Sequence, residues 1–183
     1  MMSASINGAG SAAAQVSGKA VTTRVTHLDH LLGGHPAALR AIYEAGTAPA
    51  PEGLVGSWRG IFLALEAGRD VASLMRPVFQ LLRGGGALWQ GKTFFADATG
   101  VNRVLGQKLL RLGVETGFSE LDGASTIVFR YDLPRHENPW PLRNMRDELR
   151  MIGDGIALGP VLFSATAGGR RDVVSWFGLQ REG

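Results

Sequence analysis

The sequence predicts a mainly β protein with minor α content, arranged as a closed antiparallel barrel or a sandwich. Residues 125–133 alternate between apolar and polar side chains, as a half-buried strand does. Residues 156–166 and 172–181 are strand-like and flank a Gly-Gly turn, which predicts a terminal hairpin. Trp58 lies between two nearby glycines, where the chain can bend closely around a large ring. A closed barrel would also leave no exposed strand edges.

Composition indicates one globular domain. The chain has 183 residues, of which 45% are hydrophobic, enough to bury about two-thirds of its unfolded surface. It has no cysteine, which excludes disulfides, Cys–zinc sites and a cysteine nucleophile, and which fits a cytoplasmic location. No run approaches the ~18 apolar residues that a membrane-spanning helix needs.

The charge does not indicate a nucleic-acid partner. The net charge is +3, and the basic residues are mostly arginines dispersed along the chain. They form no run interleaved with aromatic residues, which a nucleic-acid surface would need.

The N-terminal region divides into two parts. Residues 1–24 are rich in Ala, Ser and Gly and cannot bury enough surface to offset their ordering entropy, so we expect disorder. Residues 25–183 then form a single domain with a helical lead-in. His27 and His30 have a spacing that could bind a metal on a helix, but no third ligand lies nearby, so we expect no metal site.

Two helices are predicted. In residues 36–46, Pro36 suits the first turn, and Leu39 and Tyr43 share one face. In residues 69–83, apolar residues recur at helical spacing before three glycines end the helix. The second helix would lie between the first two strands and either cover the barrel mouth or pack outside.

The first strand, residues 58–65, begins at Trp58. We expect this ring to plug the closed end of the barrel as a core residue without chemistry.

Residues 86–93 match the phosphate-loop pattern G-x-x-x-x-G-K-[ST], but their surroundings do not fit one. A phosphate loop follows a buried strand and begins a helix. Here a helical segment precedes the pattern and an aromatic, strand-like segment follows it. We therefore predict a strand over residues 87–95, with Lys92 and Phe94 on one face and Trp89 and Thr93 on the other. Lys92 then points into the barrel or reaches its rim.

The chain resembles bacterial proteins that carry a GxWxG motif. The resemblance rests on Trp58 between Gly56 and Gly60 and on Trp-Gln-Gly-Lys-Thr-Phe from residue 89. It extends through residues 100–103 to the C-terminal half. It implies a lipocalin-like closed antiparallel β-barrel with an apolar interior and one or two short helices packed on or over it. It brings no established catalytic residues.

Residues 138–150 carry the most chemistry and allow two structures. As a helix, the segment would bury its apolar residues and leave Asp147 and Glu148 on a solvated face among arginines. As a strand, it would place Asp147 between Met145 and Leu149 on one face. A carboxylate among apolar neighbours is a candidate general acid or base.

Two function classes follow. The first is a barrel that encloses an apolar small molecule, lipid-like or a secondary metabolite. The second is a cofactor-independent cyclase or isomerase that holds a metabolite in a reactive shape and moves a proton. We expect no cofactor, and a homodimer is a possible assembly. The candidate catalytic residues are Asp147, Glu148 and Lys92, and the candidate ligand-binding residues are Trp58, Trp89, Asn102, Phe129, Tyr131, Met145 and Trp176.

Overall fold

The structure is a computed structural model that describes residues 25–66, 88–140, 142–166 and 168–183. Its eight strands form a closed antiparallel barrel in which each strand pairs with the next and the last pairs with the first. This confirms the predicted mainly β, lipocalin-like barrel. The strands are β1 (Gly56–Leu65), β2 (Trp89–Phe94), β3 (Thr99–Val104), β4 (Gln107–Phe118), β5 (Ser125–Arg130), β6 (Met145–Gly153), β7 (Ile156–Phe163) and β8 (Asp172–Arg181).

The predicted N-terminal helix is α1, Pro36–Glu44. Pro36 occupies its first turn, where a missing N–H costs nothing, and the His35 side chain accepts a hydrogen bond from the Ala37 N–H. The predicted segments 1–24 and 69–83 lie outside the described residues. Short 3₁₀ helices span Leu28–Leu31, Pro51–Leu54, Pro134–His136 and Leu142–Asn144.

Helix α1 covers part of the barrel's outer surface. Leu39 and Tyr43 on its buried face join Leu63, Leu158 and Trp176, which point outward from β1, β7 and β8. These residues form an outer hydrophobic cluster, distinct from the cluster inside the barrel. Within the part of the chain that the structure describes, no helix is long and apolar enough to cross a membrane.

The barrel interior is filled by alternate residues of the strands. From β5, Ile127 and Phe129 point inward together with Tyr131, as the predicted alternation requires. Strand β6 resolves the ambiguity of residues 138–150. The strand alternative is correct from Met145 onward, because β6 pairs with β5 on one side and β7 on the other.

Strands β3 and β4 were not predicted, because bulges interrupt their alternation. The register shifts between Val101 and Asn102, and Leu110 on the partner strand has a positive φ of 52°. A shift also occurs where β7 pairs with β8. It brings Val174 inside with Phe177, although a regular strand would place residues three apart on opposite faces.

The prediction that Trp89 and Lys92 lie on opposite faces of β2 is also wrong. Both side chains line the barrel interior, because the register against β3 shifts between Trp89 and Gly91. Gly91 has a φ of 122°, and a Cβ there would overlap the backbone of Trp58 and Gly60. This bulge is the feature that brings the lysine and the indole together.

The described part of the phosphate-loop pattern, residues 88–93, lies mostly in β2. This strand pairs with β1 and β3, and no helix follows it before β3. The backbone N–H groups therefore hydrogen-bond within the sheet and do not form a phosphate cradle, as the sequence context predicted.

Candidate functional site

A cavity of about 60 Å³ lies inside the barrel. Its described lining is mostly apolar; β5 contributes through Tyr131, the residue after its end, each of the other seven strands contributes directly, and Leu142 comes from a 3₁₀ helix before β6. The lining residues are Phe62, Trp89, Lys92, Asn102, Val104, Leu110, Tyr131, Leu142, Met145, Asp147, Val161 and Phe177.

Lys92 is the centre of a buried polar network on one wall of the cavity. Its Nζ donates to Asp147 Oδ2 at 2.9 Å, to Tyr131 Oη at 2.8 Å and to Asn102 Oδ1 at 2.9 Å. An ammonium group has three N–H donors, so each one has a partner. The Lys92 and Asp147 side chains are 2% and 3% exposed, which makes this a fully buried ion pair.

Aromatic rings enclose the ammonium group. Nζ lies 5.2 to 5.7 Å from the ring centroids of Trp89, Phe129, Tyr131 and Phe177. Ring faces attract cations at this range. Burial nevertheless lowers the pKa of Lys92, since it removes water from the charged form, and Asp147 opposes that shift.

Tyr131 and Asn102 complete the network. The Tyr131 hydroxyl donates to Asp147 Oδ2 at 2.7 Å, and the pKa of Tyr131 is well above its usual value because of burial and the adjacent carboxylate. Asn102 Oδ1 also accepts from Trp89 Nε1 at 3.0 Å, while its Nδ2 donates to the Leu110 carbonyl at 3.2 Å and to Tyr131 Oη at 3.3 Å. The described donors of this wall are therefore all in use.

In the described part of the chain, one acceptor of this wall, Asp147 Oδ1, has no such partner. It is buried and has no hydrogen-bond partner among the described residues, whereas Oδ2 of the same carboxylate accepts two hydrogen bonds. A buried acceptor without a partner costs about 1–3 kcal/mol, and more for a charged group. This oxygen can therefore accept a hydrogen bond, or a proton, from a molecule in the cavity.

The structure brings six of the predicted site residues together at the cavity: Lys92, Asp147, Trp89, Asn102, Tyr131 and Met145. Phe129 lies just beyond them and contacts the Lys92 ammonium through its ring.

Trp58 lies elsewhere in the interior and does not line the cavity. Its Nε1 donates to the Leu54 carbonyl at 2.7 Å, and the Arg181 guanidinium lies 4.6 Å from its ring centroid. Leu54 and Arg181 flank the start of β1 and the end of β8, so the ring fills one end of the barrel. This is the position that the predicted plug requires.

The structure places Glu148 and Trp176 on the other side of the barrel wall. Glu148 neighbours Asp147 in β6 but points outward, where it accepts hydrogen bonds from Tyr43 and Arg146. Trp176 belongs to the outer cluster, and its Nε1 donates to Glu66. Strand alternation separates both residues from the cavity, so neither can contact a ligand there.

Several lining residues were missed from the sequence. Phe177 lies in the predicted strand 172–181, but Trp176, on the opposite face, was assigned to the site instead. Leu110 lies at a bulge whose position no local pattern reveals. The missed lining residues are Phe62, Val104, Leu110, Leu142, Val161 and Phe177.

The described residues include no cluster of three or more His, Cys, Asp or Glu side chains that could hold a metal ion. The His27 and His30 rings lie 5.6 Å apart in a 3₁₀ segment, edge to face.

Comparison with known protein families and with curated proteins finds no match. A solved crystal structure of a protein from Thermomonospora curvata is similar, with a TM-score of 0.52 and 16% sequence identity. The similarity covers 84% of this chain and 91% of that chain. At this identity it shows the fold alone. The resemblance to proteins with a GxWxG motif remains a prediction.

Proposed function

We propose that the barrel binds a small, largely apolar molecule in the cavity beside Lys92 and Asp147. The observation that carries this proposal is a buried ion pair with one unpartnered carboxylate oxygen in an otherwise apolar interior. A buried ion pair usually stabilises a fold no better than apolar packing does, and an unpartnered oxygen destabilises it. A site for a ligand accounts for both features, since a few polar groups in an apolar pocket fix a ligand's orientation.

The size of the cavity limits the ligand. Pockets for drug-sized ligands occupy about 300–1,000 Å³, whereas this cavity has about 60 Å³. An engineered apolar cavity of ~150 Å³ holds benzene. The bound group is therefore only a few heavy atoms in size, either a whole small molecule or the head of a longer one.

The proposal is tested by native mass spectrometry of the purified protein, with solvent extraction of any adduct, and by NMR titration with short-chain apolar compounds. We expect a stoichiometric adduct, or saturable shifts at residues around Lys92. Val161→Phe should abolish either signal, because Val161 lines the cavity and the larger ring would occupy it.

Val173→Phe is the matched control. Val173 packs against the outer cluster, so this substitution makes the same change in side-chain size outside the barrel. It should leave binding intact. If wild-type protein carries no adduct and shows no saturable shift, or if Val161→Phe binds as wild type does, the proposal is rejected.

A cofactor-independent cyclase or isomerase is the second candidate. It is favoured by Asp147, a cavity-lining carboxylate whose Oδ1 has no partner among the described residues and could accept a proton from a substrate. Under this alternative, Asp147→Asn abolishes turnover of the extracted compound while the barrel stays folded. Unchanged turnover in that variant would exclude Asp147 as the base.

A further inference from the structure

We infer that the ligand presents a neutral hydroxyl group to Asp147 Oδ1, so that alcohols or phenols bind and carboxylic acids do not. This inference rests on the proposed function and specifies its ligand class. It follows from counting the donors and acceptors at the polar wall of the cavity.

Among the described residues, the polar wall has no unused donor to offer a ligand. The three Lys92 donors, the Tyr131 hydroxyl hydrogen, the Asn102 amide and the Trp89 indole N–H all have partners. Asp147 Oδ1 is the polar side-chain atom of the described lining that has none. A ligand group that donates a hydrogen bond satisfies this atom, whereas an ether, ketone or carboxylate leaves it unpaired.

The charges exclude acids and disfavour amines. Lys92 and Asp147 neutralise each other at 2.9 Å. A ligand carboxylate would add a second negative charge beside Asp147, in a low-dielectric site whose described residues have no unused donor. A ligand ammonium would leave one net positive charge buried with only one free acceptor. A neutral hydroxyl group avoids both costs and donates one hydrogen bond to a charged acceptor, the stronger kind of hydrogen bond.

The apolar lining accepts the rest of such a molecule. Phe62, Val104, Leu110, Val161 and Phe177 contribute hydrocarbon surface around the cavity. Because its volume is about 60 Å³, the hydroxyl and the first carbons lie inside.

The experiment compares three probes of similar length: 1-hexanol, 1-methoxypentane and hexanoate. Each is titrated at neutral pH into wild-type protein, and the Kd is measured from NMR shifts of the residues that line the cavity. A hydrogen bond to a charged group contributes about 1.5–3 kcal/mol, so 1-hexanol should bind at least about 10-fold more tightly than the isosteric ether. Hexanoate should bind more weakly than 1-hexanol.

Asp147→Asn provides the matched test within the protein. The amide keeps the shape of the side chain and removes the charged acceptor, so the preference for 1-hexanol over the ether should fall to within about threefold. Glu148→Gln removes the neighbouring carboxylate, on the outer side of the wall, and should keep the wild-type preference. Circular dichroism verifies that each variant is folded.

The outcomes separate the two proposals. Equal binding of 1-hexanol and 1-methoxypentane to wild type, or tighter binding of hexanoate, overturns the hydroxyl inference and leaves the binding function standing. The inference is also overturned if folded Asp147→Asn keeps the full preference. Absence of saturable shifts with all three probes, together with a clean apo mass, rejects the binding function itself.

Discussion

Lys92 and Asp147 place opposite charges at one point of an apolar interior, and each depends on the other. We predict that Lys92→Met lowers the free energy of unfolding by about 3–5 kcal/mol, because the Asp147 carboxylate then stays buried without its cation. The double variant Lys92→Met/Asp147→Leu should recover about 2 kcal/mol or more, since apolar side chains of similar size replace buried ion pairs well. Denaturant unfolding measures both values.

Recovery in the double variant is the decisive comparison, because each single variant leaves one buried charge alone. If the stability losses of Lys92→Met and Asp147→Leu simply add in the double variant, the two charges are not coupled. The ion pair is then not an isolated polar group in an apolar core, and the predicted cost of leaving one charge unpaired is wrong.

The ion pair of Asp122 with Arg150 should make the stability of the protein depend on pH in acid. Hydrogen bonds from Arg150 lower the pKa of Asp122 to about 2, from an ordinary value of 3.8. The unfolded state therefore takes up a proton first as the pH falls. Asp122 is exposed to solvent, so after screening this carboxyl contributes about 1 kcal/mol of stability, which is present above pH ~4 and is lost towards pH ~2.

Asp122→Asn should remove this part of the pH dependence. Denaturant unfolding from pH 5 to pH 2 should show a decline that is about 1 kcal/mol smaller than in wild type. Identical declines would show that the Arg150–Asp122 pair does not persist in solution.

At the scale of elements, the bulge in β2 determines what the cavity contains. Gly91→Ala should cost several kcal/mol or prevent folding, because its Cβ would overlap the backbone of Trp58 and Gly60 and because its φ is positive. Gly106→Ala is the matched control. Gly106 also has a positive φ, of 73°, but a Cβ there meets nothing within 4 Å, so we expect a cost of only about 1 kcal/mol.

Thermal unfolding of both glycine variants distinguishes backbone conformation from close contact. Equal losses in the two would mean that positive φ alone explains the cost, and that the close approach of β1 and β2 at Gly91 contributes nothing.

At the scale of the whole molecule, α1 and the barrel should unfold as one unit. Leu39 is buried in the outer cluster that joins the helix to β1, β7 and β8. Leu39→Ala should therefore lower the stability of the entire barrel by about 2–5 kcal/mol. Leu32→Ala, at a side chain that is 57% exposed, should change it by less than about 0.5 kcal/mol.

Tryptophan fluorescence measures this coupling, because Trp58 and Trp89 lie inside the barrel and Trp176 lies in the outer cluster. An unchanged midpoint in Leu39→Ala, or a separate early transition, would show that the lead-in is not part of the same cooperative domain.

Local patterns in the sequence predicted the strands that alternate cleanly. Residues around Phe129 and the terminal hairpin were assigned correctly, as was α1, whose proline and apolar stripe are local signals. The sequence also placed Lys92, Asp147, Asn102 and Tyr131 among the candidate residues, as polar groups that could face a barrel interior. It missed β3 and β4, whose alternation is interrupted.

Side-chain period thus determined by itself that this chain is a mainly β protein, a barrel or a sandwich, and the resemblance to proteins with a GxWxG motif added the expectation of a barrel with an apolar interior. Only the tertiary structure decided that Trp89 and Lys92 face the same cavity, that residues from Met145 form a strand, and that Trp176 lies outside. The physical reason is that each of these depends on neighbouring strands. The bulge in β2 brings Trp89 and Lys92 to the same face, pairing with β5 and β7 makes the residues from Met145 a strand, and barrel closure decides which face of β8 is outside. The unpartnered oxygen of Asp147 likewise results from contacts between residues distant in sequence.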